Sequence, residues 1–78
     1  SAKDVLITTQ FRTALIVNKN VKASNYQIDT YKNKIYVYGI ANTLEEKDLV
    51  ISEAKEIKDV KNVIASIILV EDLRIQKE

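Results

Sequence analysis

The residues best able to do acid–base chemistry in this sequence are carboxylates in two pairs, Glu45/Glu46 and Glu53/Glu56. A carboxylate pair works as acid and base only when both groups face one cleft with their proton affinities held apart. Neither pair has that context. Thr43-Leu44-Glu45-Glu46 reads as a capping box, with Thr43 as N-cap and Glu46 at N3. Glu53 and Glu56 read as a solvated helix face. The 78 residues contain no His and no Cys. That removes the imidazole base, the thiolate nucleophile, the usual zinc site and any disulfide. A single Gly cannot build a loop that cradles phosphate. The sequence therefore predicts no catalytic residues, no metal site and no cofactor. A two-layer domain of this size also has little room for a deep pocket.

What remains is surface chemistry. The formal net charge is +1, with 12 Lys+Arg against 11 Asp+Glu. That balance hides an asymmetry. Residues 1 to 34 carry six cations (Lys3, Arg12, Lys19, Lys22, Lys32, Lys34) and two anions; residues 35 to 78 carry six cations and nine anions. A basic N-terminal half suits an anionic partner. No apolar run approaches the ~18–20 residues of a membrane span. The sequence starts at Ser1 and has no Met, which leads us to expect a module cut from a longer, exported chain.

The elements that must carry this chemistry follow from periodicity. Asp4 is a plausible N-cap for a helix running to about Val17. Ile7, Phe11, Ala14 and Leu15 form its apolar stripe, and Asn18-Lys19-Asn20 ends it. Val21 then tucks under the core. Tyr26 to Tyr31 and Ile35 to Gly39 alternate as strands joined by a tight turn at Lys32-Asn33, with Asn33 at positive φ. With Tyr31 opposite Lys34, the inward set is Ile28, Thr30, Ile35 and Val37. The outward set is Gln27, Asp29, Tyr31, Lys34, Tyr36 and Tyr38. A second helix runs from the Thr43 cap to about Ile57 or Lys58, burying Val50, Ala54 and Ile57, with Asp59 left-handed beyond it. Val60 to Val70 is a third strand, with Val63, Ala65, Ile67 and Leu69 on one face. The order αββαβ predicts an α+β two-layer sandwich. Its sheet is three-stranded and mixed, with the third strand parallel to the second and both helices on one face.

The ordered set of segments resembles the BON domain (bacterial osmotic-stress and nodulation domain). The helix Asp4-Val5-Leu6-Ile7-Thr8-Thr9-Gln10-Phe11-Arg12-Thr13-Ala14-Leu15 is similar to that family's opening. Asn20-Val21, the Gly-ended strand Ile35-Tyr36-Val37-Tyr38-Gly39, Asn42-Thr43-Leu44-Glu45-Glu46-Lys47 and Val60-Lys61-Asn62-Val63 follow in the family's order. Residues 4–70 form the BON-like domain and residues 71–78 a charged tail. Asn33 stands where the family often has glycine in the hairpin, and Asp59 where it usually has glycine at the end of the second helix. Both types tolerate positive φ, so the fold survives the exchange. The resemblance implies a non-enzymatic bacterial envelope module, periplasmic or outer-membrane associated and often in tandem, that binds phospholipid surfaces.

Two surfaces could serve such a role. Opposite the core stripe, the first helix presents Val5, Thr9, Arg12, Thr13 and Ile16, with Leu6 at the edge. Either Leu6, Ile16 and Val17 cover the margin of the core, or the face seats on a bilayer. In the second case Lys3, Leu6, Thr9, Arg12, Thr13, Ile16 and Lys19 contact an anionic phospholipid surface. The outward sheet face brings together Tyr31, Tyr36, Tyr38, Ile64 and Ile68. Either the C-terminal tail folds over it, or it docks to a second BON domain or a like subunit. Single-stranded nucleic acid is the rival partner, because Tyr36 and Tyr38 beside Lys34 could stack bases. The third strand offers Ile where such sheets need cations or aromatics, and one Gly excludes a GxxG loop. No nucleic acid is expected.

Overall fold

In the computed structural model, which describes residues 1–76 and side chains as far as Leu73, helix α1 spans Ala2–Val17. Its N-cap is Ser1, whose hydroxyl accepts the Asp4 N–H at 3.2 Å. The expected Asp4 cap is thus displaced. Asp4 lies inside the first turn and turns its carboxylate toward the hairpin instead. Asn18 ends the helix in extended backbone, and its side chain accepts the Asn20 N–H at 3.0 Å, bending the chain so that Val21 is buried.

A single 3₁₀ turn, Ala23–Asn25, leads into β1 (Tyr26–Tyr31) and β2 (Lys34–Ala41). They pair antiparallel in the register expected from alternation: Tyr31 opposite Lys34, Thr30 opposite Ile35, Ile28 opposite Val37. Lys32 and Asn33 both have positive φ, 51° and 66°, the conformation of a type I′ turn. Strand β2 continues two residues past Gly39, because Ile40 and Ala41 keep pairing with β3.

Helix α2 spans Leu44–Lys55 from the Thr43 cap, whose hydroxyl accepts the Glu46 N–H at 3.0 Å. It stops short of the expected Ile57–Lys58. The last turn tightens to three-residue bonds, Glu56 to Glu53 and Ile57 to Ala54. Asp59 is left-handed at φ 70° in the turn that follows. Strand β3 covers Asn62–Leu69 and runs parallel to β2, giving the sheet order β1-β2-β3. Helix α3, Val70–Gln76, follows directly and takes up most of the expected tail. Residues 77 and 78 of that tail lie outside the described residues.

Both α1 and α2 pack on one sheet face, α1 against β1 and α2 against β2 and β3. Between the layers lie Ile7, Phe11 and Leu15 of α1, Val50 and Ala54 of α2, and Ile35, Val37, Ala41 and Ile67 of the sheet. Ala14 is half-buried at the margin. Gly39 marks the closest approach between segments. A Cβ there would collide with the Asn25 carbonyl oxygen and sit 2.9 Å from the Tyr26 ring.

Candidate functional site

Among the described residues two carboxylates are buried, and both are saturated by structural donors. Glu46 Oε2 accepts the Lys22 N–H at 3.0 Å and the Tyr26 hydroxyl at 2.9 Å, while Oε1 accepts the Asn42 N–H at 3.0 Å. Burial opposes its ionisation, but the Lys22 and Asn42 N–H groups and the Tyr26 hydroxyl outweigh it and hold the carboxyl below its ordinary range. The same burial and the same carboxylate push the Tyr26 phenol well up. Glu46 is therefore the tie between α2, the strand β1 and the loop before it, rather than part of a solvated face. Glu53 also has a partner, accepting from Asn18 Nδ2 at 2.9 Å and linking α2 to the end of α1.

Asp4 plays the matching part at the opposite end of α1. Its two oxygens accept the Asn33 and Lys32 N–H groups, each at 2.9 Å, so the helix holds the hairpin turn directly. The Asn33 bond contributes most to lowering its pKa, against the desolvation that raises it. Neither role was readable from α1 alone, because the partners lie 28 and 29 residues away. Asp4, Glu46 and Glu53 thus tie distant segments of the fold together.

The solvent side of α1 is a different matter. Val5, Leu6, Ile16 and Val17 are 66%, 53%, 64% and 75% exposed. Thr9 and Thr13 lie between them, also exposed. Spacings of three and four place these residues on one ridge along a helix roughly 24 Å long. Arg12 flanks the ridge as its single charge, and Lys19 follows in the exposed turn. The exposure of Leu6, Ile16 and Val17 removes the reading in which they close the core margin. Thr8, one step round the helix, instead faces Thr30 at 2.7 Å. Lys3 turns aside to Asp59, at 3.4 Å. Val17 extends the apolar ridge one residue beyond the expected set.

The outer sheet face carries Tyr31, Tyr38, Ile64 and Ile68, all exposed, and Tyr36, half-buried. The register sets Tyr36 beside Ile64 and Ile40 beside Ile68. Ile40 belongs to this patch and was missed because the strand was expected to end at Gly39; the alternation Lys34, Tyr36, Tyr38 already pointed to it. The described part of the C-terminal segment forms α3 and leaves this patch exposed. Tyr31 also carries the Lys32 ammonium 5.4 Å from its ring centre.

Because the helices occupy the inner face of the sheet, the α1 ridge and the outer sheet face look in opposite directions. A cleft of about 220 Å³, lined by Ser1, Asp4, Val5, Thr8, Thr9, Asp29 and Thr30, is shallow and open. Among the described residues, no group of three or more potential ligands could hold a metal ion, and no helix is long and apolar enough to cross a membrane.

A mixed three-stranded sheet with both packed helices on one side, and with apolar surfaces on its two outer sides, is a small α+β sandwich domain. The sequence profile of the BON domain matches residues 3–71, and the chain belongs to that family. The family is one of phospholipid-binding and osmotic-stress modules and is generally non-enzymatic. The chain is also similar to a protein of Anaplasma centrale described as "Uncharacterized protein in gshII 5'region", 34% identical over 64 residues. The match covers 82% of this chain and 42% of that protein, so the chain spans less than half the length of its relative.

Proposed function

We propose that this chain is a non-enzymatic module of the bacterial envelope, periplasmic or outer-membrane associated. It binds anionic phospholipid surfaces through the exposed face of α1 and so supports envelope integrity or tolerance of osmotic stress. The observation that carries this reading is the solvent side of α1, which is apolar and threonine-rich with Arg12 as its one charge. An ordinary exposed helix face carries several charges. Leu6, Ile16 and their neighbours enter the head-group layer, while Arg12 and Lys19 meet lipid phosphates. Each cation near such a surface contributes about 1 kcal/mol. The Lys3–Asp59 pair is exposed on both sides and worth only about 0–1 kcal/mol, so a head group can compete for Lys3. Binding of this kind is weak and sensitive to salt. The saturation of Asp4 and Glu46 by backbone and phenol donors supports the non-enzymatic part of the reading.

A vesicle titration tests it. Binding should require phosphatidylglycerol in a phosphatidylcholine background and weaken as salt rises. It should drop at least tenfold in a Leu6→Glu/Arg12→Glu variant that keeps the wild-type circular dichroism and melting. Normal binding by that variant would remove α1 from the reading.

A second reading has its own observation. The contiguous patch of Tyr36, Tyr38, Ile40, Ile64 and Ile68 is of the kind that docks a protein, such as a second BON domain or a like subunit. Nucleic acid fits that patch poorly, because Ile64, Ser66 and Ile68 offer no cation beside the tyrosines.

A further inference from the structure

The two edges of the sheet are treated differently. On β1, Asp29 places a charge on the strand and its Oδ1 accepts the Thr30 N–H at 2.9 Å, so the edge is guarded. On β3 such a bond stands only at the first residue, and no charge accompanies it. The eight residues Asn62–Leu69 contain no charge, no Pro and no Gly. Asn62 Oδ1 accepts the Val63 N–H at 2.9 Å, and among the described residues no side chain does the same further along the strand. Ladder groups alternate sides along a strand, so the groups of Ala65 and Ile67 are directed to the same open edge as the Val63 N–H. The helix layer also stops short of this edge. Ala65 belongs to the inner face, paired with the buried Val37, yet it is exposed. Long, uncharged, uncovered edges are the ones that recruit another strand.

We propose that β3 pairs antiparallel with β3 of a second copy of this chain, about a two-fold axis at Ser66. The strand's own sequence argues for itself as partner. Antiparallel pairing must match residues that share a face. Centred on Ser66, the register sets Ile64 opposite the second copy's Ile68, and Ser66 opposite its own counterpart, on the outer face. On the inner face it sets Val63 opposite Leu69 and Ala65 opposite Ile67. Every pair is apolar with apolar or Ser with Ser, and no like charges meet. The groups of Ala65 and Ile67 then exchange N–H···O bonds across the axis, and Ser66 sits at a close, non-hydrogen-bonded pair. The three-stranded sheet becomes six-stranded, in the order β1-β2-β3-β3-β2-β1. This pairing uses the strand edge rather than the sheet face and does not depend on lipid binding.

The test uses the chain's lack of cysteine. Sedimentation equilibrium from about 10 µM to about 1 mM should show a monomer–dimer equilibrium, since edge pairing alone covers less area than a standard interface. Ser66→Glu, which sets like charges against each other at the axis, should stay monomeric over the same range while its circular dichroism matches that of the wild type. Ser66→Cys should cross-link to a covalent dimer under mild oxidation. Tyr38→Cys, on the same face but one strand inward, should cross-link at least tenfold less. A wild-type monomer across the whole range overturns the proposal. So does a dimer that Tyr38→Cys cross-links as well as Ser66→Cys, which would mean face-to-face packing. Failure of vesicle binding leaves this measurement untouched, so the two readings fail separately.

Discussion

Asn33 of the hairpin turn and Asp59 of the loop before β3 touch each other. The Asn33 side-chain amide donates to the Asp59 carbonyl at 3.1 Å, and both backbones are left-handed, with φ of 66° and 70°. The Asn33 carbonyl in turn accepts the Lys61 N–H at 2.8 Å. One end of the molecule is thus closed by a chain of contacts. Asp4 holds the hairpin turn, the turn holds the loop before β3, and Lys3 of α1 reaches Asp59 of the same loop. Glycine at either position would accept the backbone more easily, but at position 33 it would lose the amide.

The two sites should therefore answer differently to substitution. At position 59 only an exposed ion pair is lost, so Asp59→Gly should be neutral or stabilising by up to about 1 kcal/mol. Asn33→Ala loses the left-handed tolerance of Asn together with the bond to Asp59, and should cost about 1–2 kcal/mol. Asn33→Gly relieves the backbone but loses that bond, and should fall between the two. Urea unfolding of the three variants orders them. Equal losses at both sites would mean that the amide contributes nothing.

Gly39 should be far less tolerant. A Cβ there meets backbone, at the Asn25 carbonyl, and not the end of a flexible side chain. Gly39→Ala should cost about 3 kcal/mol or more, because the 3₁₀ turn must move off β2. Gly39→Ser should be at least as damaging. Thermal melts of both variants check this; a loss under about 1 kcal/mol would show that the Ala23–Asn25 segment yields easily.

Stability should fall in acid through the buried carboxylates. Asp4 and Glu46 both have folded pKa values below their ordinary ones. The unfolded chain therefore takes up protons at these groups first as pH falls. Their contribution is complete above the unfolded values of about 4 and is lost as pH drops through the lower folded values. The melting temperature should be flat from pH 7 to about pH 5 and decline below about pH 4. Glu46→Gln places an amide N–H₂ among three donors, and should cost about 1–3 kcal/mol at neutral pH while shallowing the acid decline. An acid profile identical to wild type would exclude Glu46 from the effect.

The strand register and the faces of the sheet could be read directly from alternation, because one-residue slips would bury Gln27 and Asp29 and expose Ile35 and Val37. The αL positions of Asn33 and Asp59 could be read for a similar reason: few residue types tolerate the conformation. Helix ends were less legible. Ser1 and Asp4 are both good caps by type, and the choice between them was made by two hairpin N–H groups far along the chain. The capping box at Thr43 was legible, but only half of Glu46's role was. In the motif its carboxylate would bond back to the cap residue's N–H; here it reaches Asn42, Lys22 and Tyr26. Long-range polar ties of this kind have no local signature. The apolar ridge of α1 was visible as a pattern, and its exposure needed the packed structure.

The absence of Trp allows the two outer surfaces to be told apart with a single probe. An indole placed on the α1 ridge by Ile16→Trp should enter the head-group layer when anionic vesicles are added, since Trp is favoured at that depth. Its emission should shift to the blue, and its quenching by acrylamide should fall several-fold. The same indole placed by Tyr38→Trp lies on the other side of the sandwich and should keep its emission on adding vesicles. Phosphatidylcholine vesicles should leave both probes unchanged, because Arg12 and Lys19 then meet no net negative surface. Raising the salt should reverse the Ile16→Trp shift before it affects folding, as expected for contacts screened within about 10 Å at 0.1 M. A shift from Tyr38→Trp in place of Ile16→Trp would move the lipid contact to the sheet. A shift from both would mean that the domain inserts deeply, which a surface held by a few cations and apolar side chains cannot do.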